Sequence, residues 1–279
     1  MKKIAAAFDG LKYSRSTREY AIHFAKQSGA HLVGIFLDDP SYTSYKIYEL
    51  AVKEGSGETK LKQLDAKDTQ TRATAAEDFK KACEKEGIHF TIHKDRNIAI
   101  QELKHETIYA DLLIIDGNET FTHYTESLPT RFIRDLLGDT QCPVLVVPEK
   151  FKSVDKIVIL YDGEPSSVHA VKMFSYMMPF LKHLPVEVIS VKSPGNSLHL
   201  PDNKMMKEFM KRHFPKAVYT VLKGLAEEEV MNYLKNEKEN AMVVLGAYRR
   251  SAVSRWFRQS MADVLMKNVK LPLFIAHNK

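Results

Sequence analysis

The chain writes one segment twice. "KIAAAFDG" (3–10) and "KIVILYDG" (156–163) match at a constant offset of 153, which places Asp9 over Asp162. "DLLIIDG" (111–117) and "NAMVVLG" (240–246) match at an offset of 129, and the same offset lays "CPVLVV" (142–147) over "LPLFIA" (271–276). A repeat of this length is a duplicated domain, far too long for a solenoid unit. Two domains are therefore expected, 1–149 and 150–279, each with the same chain path.

Each half alternates short apolar runs with helical patterns. The runs predict strands at 3–8, 31–37, 88–93, 111–116 and 143–147, then at 156–161, 186–191, 217–222, 241–245 and 272–276. They lack in/out alternation, as parallel strands covered on both faces do. Between them, Ser16 followed by Glu19 reads as a capping box and Gly29 as a helix end. Ala21, Phe24 and Ala25 share the buried face of that helix. Glu227, Glu228 and Glu229 suit a first helical turn, with Val230, Tyr233 and Leu234 facing the core. Strand–helix alternation with right-handed crossovers gives an open, doubly wound α/β layer in each half.

The offset drops by 24 between the two anchors, so the first half carries extra chain within 39–75. The glycines and charges of 53–62 predict an exposed turn, serving either a lid or a surface excursion. The join, "PEKFKSVDK" (148–156), is short enough that the halves must pack together. The closing strands "VLVV" and "LFIA" are apolar edges that need covering, and they are expected to pair with each other antiparallel. That pairing makes an intramolecular pseudo-dimer and leaves a monomer as the expected state.

Composition narrows the function classes. The lysines at the start precede an apolar patch that Asp9 breaks too soon for a secretory signal. No apolar run reaches the ~18–20 residues that span a bilayer. Cys83 and Cys142 form neither a disulfide framework nor metal-ligand spacing, so a reducing cytoplasm is the expected location. The eleven histidines make no HExxH cluster, and His89 and His93 fall on a strand, so no metal site is expected. Walker A, GxGxxG, GxSxG and kinase signatures are absent, and no nucleophile–base pair stands out; an enzyme is not expected. Residues 151–279 carry 20 Lys and Arg against 12 Asp and Glu, whereas 1–150 carry 21 against 23. The basic stretch "KMMKEFMKRHFPK" (204–216) reads as an amphipathic helix with Met206, Phe209 and Met210 inward, and no nucleic-acid or membrane partner is expected.

The order strand-"DG"-Ser-helix ("FDGLKYS"), a late strand ending in glycine ("ADLLIIDG") and a closing "TQCPVLVVP" resembles the universal stress protein family, whose tandem members carry two such domains. The resemblance implies a regulatory protein of the stress response. It also implies a site for ATP or another adenine nucleotide where the family's loop (Gly, two residues, Gly, nine residues, then Gly-Ser or Gly-Thr) is kept. In the second half, Gly246 matches the first glycine, Arg249 and Gln259 replace the next two, and Ser260 keeps the hydroxyl. Asp162 and Val191 match positions beside the adenosine and the adenine. Arg249, Arg250, Arg255 and Arg258 could replace lost main-chain contacts with guanidinium–phosphate pairs; equally, the loop is a relic and the protein a nucleotide-independent scaffold. In the first half Gly117 is followed by Thr120, Thr130 and Arg131, with Pro129, Glu119 and Glu126 in the loop. No phosphate is expected there.

Overall fold

The computed structural model describes residues 1–39, 42–44, 58–194, 198–247 and 260–277. Among the described residues, ten strands form one sheet in the order β3-β2-β1-β4-β5-β10-β9-β6-β7-β8. The first five are β1 (Lys3–Asp9), β2 (His31–Leu37), β3 (Phe90–Asp95), β4 (Leu112–Asp116) and β5 (Val144–Val147). The last five are β6 (Lys156–Leu160), β7 (Val186–Lys192), β8 (Val218–Lys223), β9 (Ala241–Gly246) and β10 (Leu273–Ala276). All lie within about two residues of the predicted runs. For the inner strands, an unbroken apolar run buried on both faces leaves little freedom in where it begins and ends, while β8 at the edge is only half-buried.

Eight α-helices cover the sheet among the described residues: α1 (Arg15–Ser28), α2 (Glu58–Lys85), α3 (Ala99–Glu106), α4 (Arg131–Leu137), α5 (Pro165–Met177), α6 (Asn203–His213), α7 (Ala226–Asn236) and α8 (Met261–Asn268). Helices α1, α2, α5 and α6 bury their apolar stripes on one face, and α3, α4, α7 and α8 on the other. Every strand pair is parallel except β5–β10, where Val146 faces Leu273, Leu145 faces Phe274 and Val144 faces Ile275. The expected antiparallel join is therefore present, and it hides both apolar edges inside the sheet. The two cores run together beneath it, with Tyr20 edge-on to Phe151 (centroids 4.7 Å apart) and Phe24 6.0 Å from Phe180.

Two local readings are corrected. Helix α1 is capped by Ser14, whose hydroxyl accepts from the Thr17 amide at 3.2 Å. Ser16 is buried and donates to the Pro148 carbonyl at 2.6 Å. The serine that fitted the capping box is thus taken by a partner 132 residues away. Secondly, residues 58–62 of the expected turn form the start of the 28-residue α2, while 45–57 lie outside the described residues. Gly29 ends α1 as expected, at φ 65°. Met206 and Met210 of α6 are buried, with Phe209 half-buried. Among the described residues no helix is long and apolar enough to cross a membrane.

Candidate functional site

Strands β6 and β9 are parallel neighbours from which the chain winds in opposite directions, and such a switch point opens a crevice at the strands' carboxyl ends. Four of the five residues singled out by the resemblance map to this edge. Gly246 is the last residue of β9, Asp162 follows β6 by two positions, Val191 is next to last in β7, and Ser260 is the N-cap of α8. Arg249 lies outside the described residues, as do Arg250, Arg255, Arg258 and Gln259.

The local roles of these groups are specific. Asp162 is exposed, and its Oδ1 accepts from the Glu164 amide at 2.9 Å, which shapes the turn into α5. Val191 is half-buried. The Ser260 hydroxyl accepts from the Ala262 amide at 3.3 Å, satisfying a first-turn donor of α8. Gly246 abuts α5 so closely that a Cβ there would stand 2.3 Å from the Ser166 carbonyl carbon and 2.6 Å from the Ser167 nitrogen. Both contacts are backbone, so nothing can rotate away. Packing of β9 on α5 accounts for this glycine without a ligand.

The equivalent edge of the first five strands is closed by its own side chains. At the end of β1, Asp9 is buried and accepts from the Leu11 amide at 2.8 Å. Asp116, ending β4, accepts from the Ser14 hydroxyl at 2.7 Å and the Asn118 amide at 2.8 Å. Glu119 is buried as well, receiving the amides of Thr120 (3.0 Å) and Phe121 (3.2 Å). Burial, then the negative charge of Asp9, push the Glu119 carboxyl up to about 8 despite those amides. Burial likewise raises Asp9. The two acids share one desolvated place, and each makes the other harder to ionise.

Helix α2 completes the closure. Arg72 lies over Gly10, where a Cβ would sit 2.8 Å from its Cγ. Its guanidinium reaches the Asp38 carboxylate (3.2 Å) and the Tyr42 carbonyl (3.1 Å). At the start of α4, Thr130 donates to the Glu119 carbonyl (2.6 Å) and accepts from the Ile133 amide (3.2 Å), while Glu126 accepts from the Arg131 amide (2.7 Å). Carboxylates thus occupy the surroundings in which a phosphate would need donors.

Sequence reasoning flagged Glu119 and Glu126 but missed Arg72, because it falls in the extra chain within 39–75, the part of the first half without a repeat counterpart. It also missed a charged network at the opposite edge of the second half. Lys156 reaches Glu237 (2.6 Å), Glu187 (2.9 Å) and the Tyr233 hydroxyl (3.0 Å), and Thr220 also bonds Glu187. A glutamate inside the strand "VEVISVK" was the available signal, since a charge in such a run needs a partner. Among the described residues, no group of His, Cys, Asp and Glu is placed to hold a metal ion.

No family model matches the chain. A universal stress protein of Synechocystis sp. is 21% identical over 296 residues, covering 98% of this chain and 99% of that protein. Among solved structures, a universal stress protein from Archaeoglobus fulgidus superposes with a TM-score of 0.69 at 13% identity, covering 99% of this chain and 98% of the other. A structure described as a putative universal stress protein from Pseudomonas aeruginosa gives 0.62 at 12% identity, covering 99% and 93%. In sequence along nearly its whole length, and in fold throughout, the chain is similar to the universal stress proteins, in their tandem two-domain form.

Proposed function

We propose that this chain is a non-catalytic regulatory protein of the stress response, built of domains 1–149 and 150–279, that takes ATP or another adenine nucleotide at the β6/β9 crevice. The observation that carries this reading is the inequality of the two switch points. One is filled by Asp9, Asp116, Glu119 and Arg72; the other presents the exposed Asp162, the half-buried Val191, Gly246 and the first turn of α8. In this reading Asp162 holds the adenosine end, Val191 lines the adenine, and Ser260 with Arg249 meets the phosphates. The cytoplasm is the expected setting.

A second reading, a nucleotide-independent interaction scaffold, draws on two of the same contacts. Gly246 is accounted for by helix packing, and the Ser260 hydroxyl is engaged by its own helix. Calorimetric titration of ATP into the whole protein separates the two. Binding predicts saturable heat with one equivalent, weakened at least tenfold by Asp162→Ala and untouched by Thr130→Ala. No heat at millimolar ATP, together with no adenine nucleotide released from freshly purified protein, rejects the first reading in favour of the second.

A further inference from the structure

Beside the loop that carries Asp162, a groove of about 500 Å³ runs between α5 and α6, with Tyr161 and Gly163 at its mouth. That volume falls within the range of small-ligand pockets. Its apolar wall is Val168 on α5 with Met205, Met206 and Phe209 on α6. Met206 anchors the wall in the core, yet Met205 is 72% exposed. A large apolar side chain left open beside an apolar cavity marks uncovered binding surface. Methionine and phenylalanine together supply a wall that adapts to a flexible chain.

The fold does not demand this lining. The duplicated position in the first half, between α1 and α2, holds a groove of about 440 Å³. There the α2 side offers Lys67, Gln70, Thr71 and Thr74, and Asp78 is ion-paired with Arg18. One architecture therefore lines the second-half groove with two methionines and a phenylalanine from its helix and the first-half groove with none.

Charge is placed unevenly along the apolar groove. His169 and Lys172, one turn apart on α5, both line it. Lys172 supplies the cation of this end, and burial and then the Lys172 charge lower the proton affinity of His169 beside it. The groove's acid, Asp202, lies on the Tyr161 side: burial and then the Asp202 charge raise the Tyr161 hydroxyl, which donates to the Pro201 carbonyl at 3.2 Å. The connection is held in place, since Gly163 (φ 88°) leaves no room for a Cβ, which would lie 2.7 Å from Pro201. The groove is thus preformed, with an apolar floor, a cationic end and an acid near Tyr161.

We propose that this groove binds an amphipathic monoanion, an unbranched aliphatic carboxylate, with its head at Lys172 and His169 and its tail along Val168, Met206 and Phe209. A cationic analogue of equal length meets like charge at the head position. A short carboxylate lacks the tail.

The test uses the full-length protein with ¹³C-labelled methionine methyl groups, assigned by substitution, and titrates decanoate, decylammonium and acetate below their aggregation thresholds. Expected are saturable shifts confined to Met205 and Met206 with one equivalent of decanoate. Affinity for decanoate should exceed that for decylammonium at least tenfold, and acetate should give no shift at the same concentrations. Lys172→Gln should weaken decanoate at least fivefold, and Met205→Gln should weaken it too, with unchanged circular dichroism in both. Equal binding of decylammonium, shifts spread over all eleven methionines, or an unchanged affinity in Lys172→Gln would overturn the proposal.

Discussion

Phe274 of β10 lies directly opposite Leu145 of β5, and both are fully buried at the antiparallel join. Phe274 also meets Phe174 edge-on at 5.3 Å, so one ring ties the join to α5. Phe274→Ala should cost about 3–5 kcal/mol, the usual penalty for emptying a buried aromatic site. Because the cores are continuous, hydrogen exchange should show both halves losing protection in one transition. Two separated transitions in the parent protein would contradict this.

Glu119 predicts an unusual pH dependence. Its folded pKa is raised, so between about 4.5 and 8 the native state holds a proton that the unfolded chain releases. The sign follows: its contribution is full below about 4.5 and is lost as the pH rises through about 8. Urea unfolding of the parent should show roughly 1–3 kcal/mol lost across that window. Glu119→Gln, which keeps the shape of a neutral carboxyl, should flatten it. An identical slope in both proteins would refute the assignment.

Lys156 makes the opposite prediction at the other edge. Its partner Glu237 is held below the usual carboxylate range, chiefly by the hydrogen bond from Lys156. Glu187 is lowered as well, burial being outweighed by its bonds to Thr220, Tyr233 and Lys156. This stability is present above about 4.5 and is lost as the pH falls below it. Lys156→Met strands two half-buried carboxylates and should cost about 2–3 kcal/mol at pH 7, less at pH 4. Chemical denaturation at the two pH values checks it.

Gly246 and Ser260 should behave differently although both belong to the resembled loop. Gly246→Ala puts a Cβ into the α5 backbone and should lower stability by about 2–3 kcal/mol with or without ATP. Ser260→Ala removes a helix cap and should cost about 1 kcal/mol. Thermal melts of both variants, each with and without ATP, separate structural loss from ligand loss. A Gly246→Ala protein as stable as the parent would show that the contact with Ser166 relaxes.

Much of this was readable in the residues. The duplicated "KIAAAFDG" and "KIVILYDG", with their unbroken apolar runs, located all ten strands, and the apolar closing strands pointed to the β5–β10 pairing. What escaped depends on partners distant in sequence. Ser16 satisfied the capping pattern but bonds Pro148, and Ser14 caps instead. Arg72 closes the first crevice from the extra chain within 39–75, which has no counterpart in the repeat, so no internal comparison could place it. The five residues drawn from the resemblance reached the expected edge where described, but a resemblance marks places and cannot say what fills them. Gly246 shows why: one glycine satisfies either a ligand's approach or a helix's.

The single antiparallel step in an otherwise parallel sheet has a consequence for traffic. It turns the carboxyl ends of β1–β5 and those of β6–β10 towards opposite rims of the same sheet. Whatever docks at one rim never competes for space with whatever docks at the other. The open β6/β9 crevice and the filled edge of the first half therefore lie back to back, so a ligand at the one stands a strand's length from the buried acids of the other.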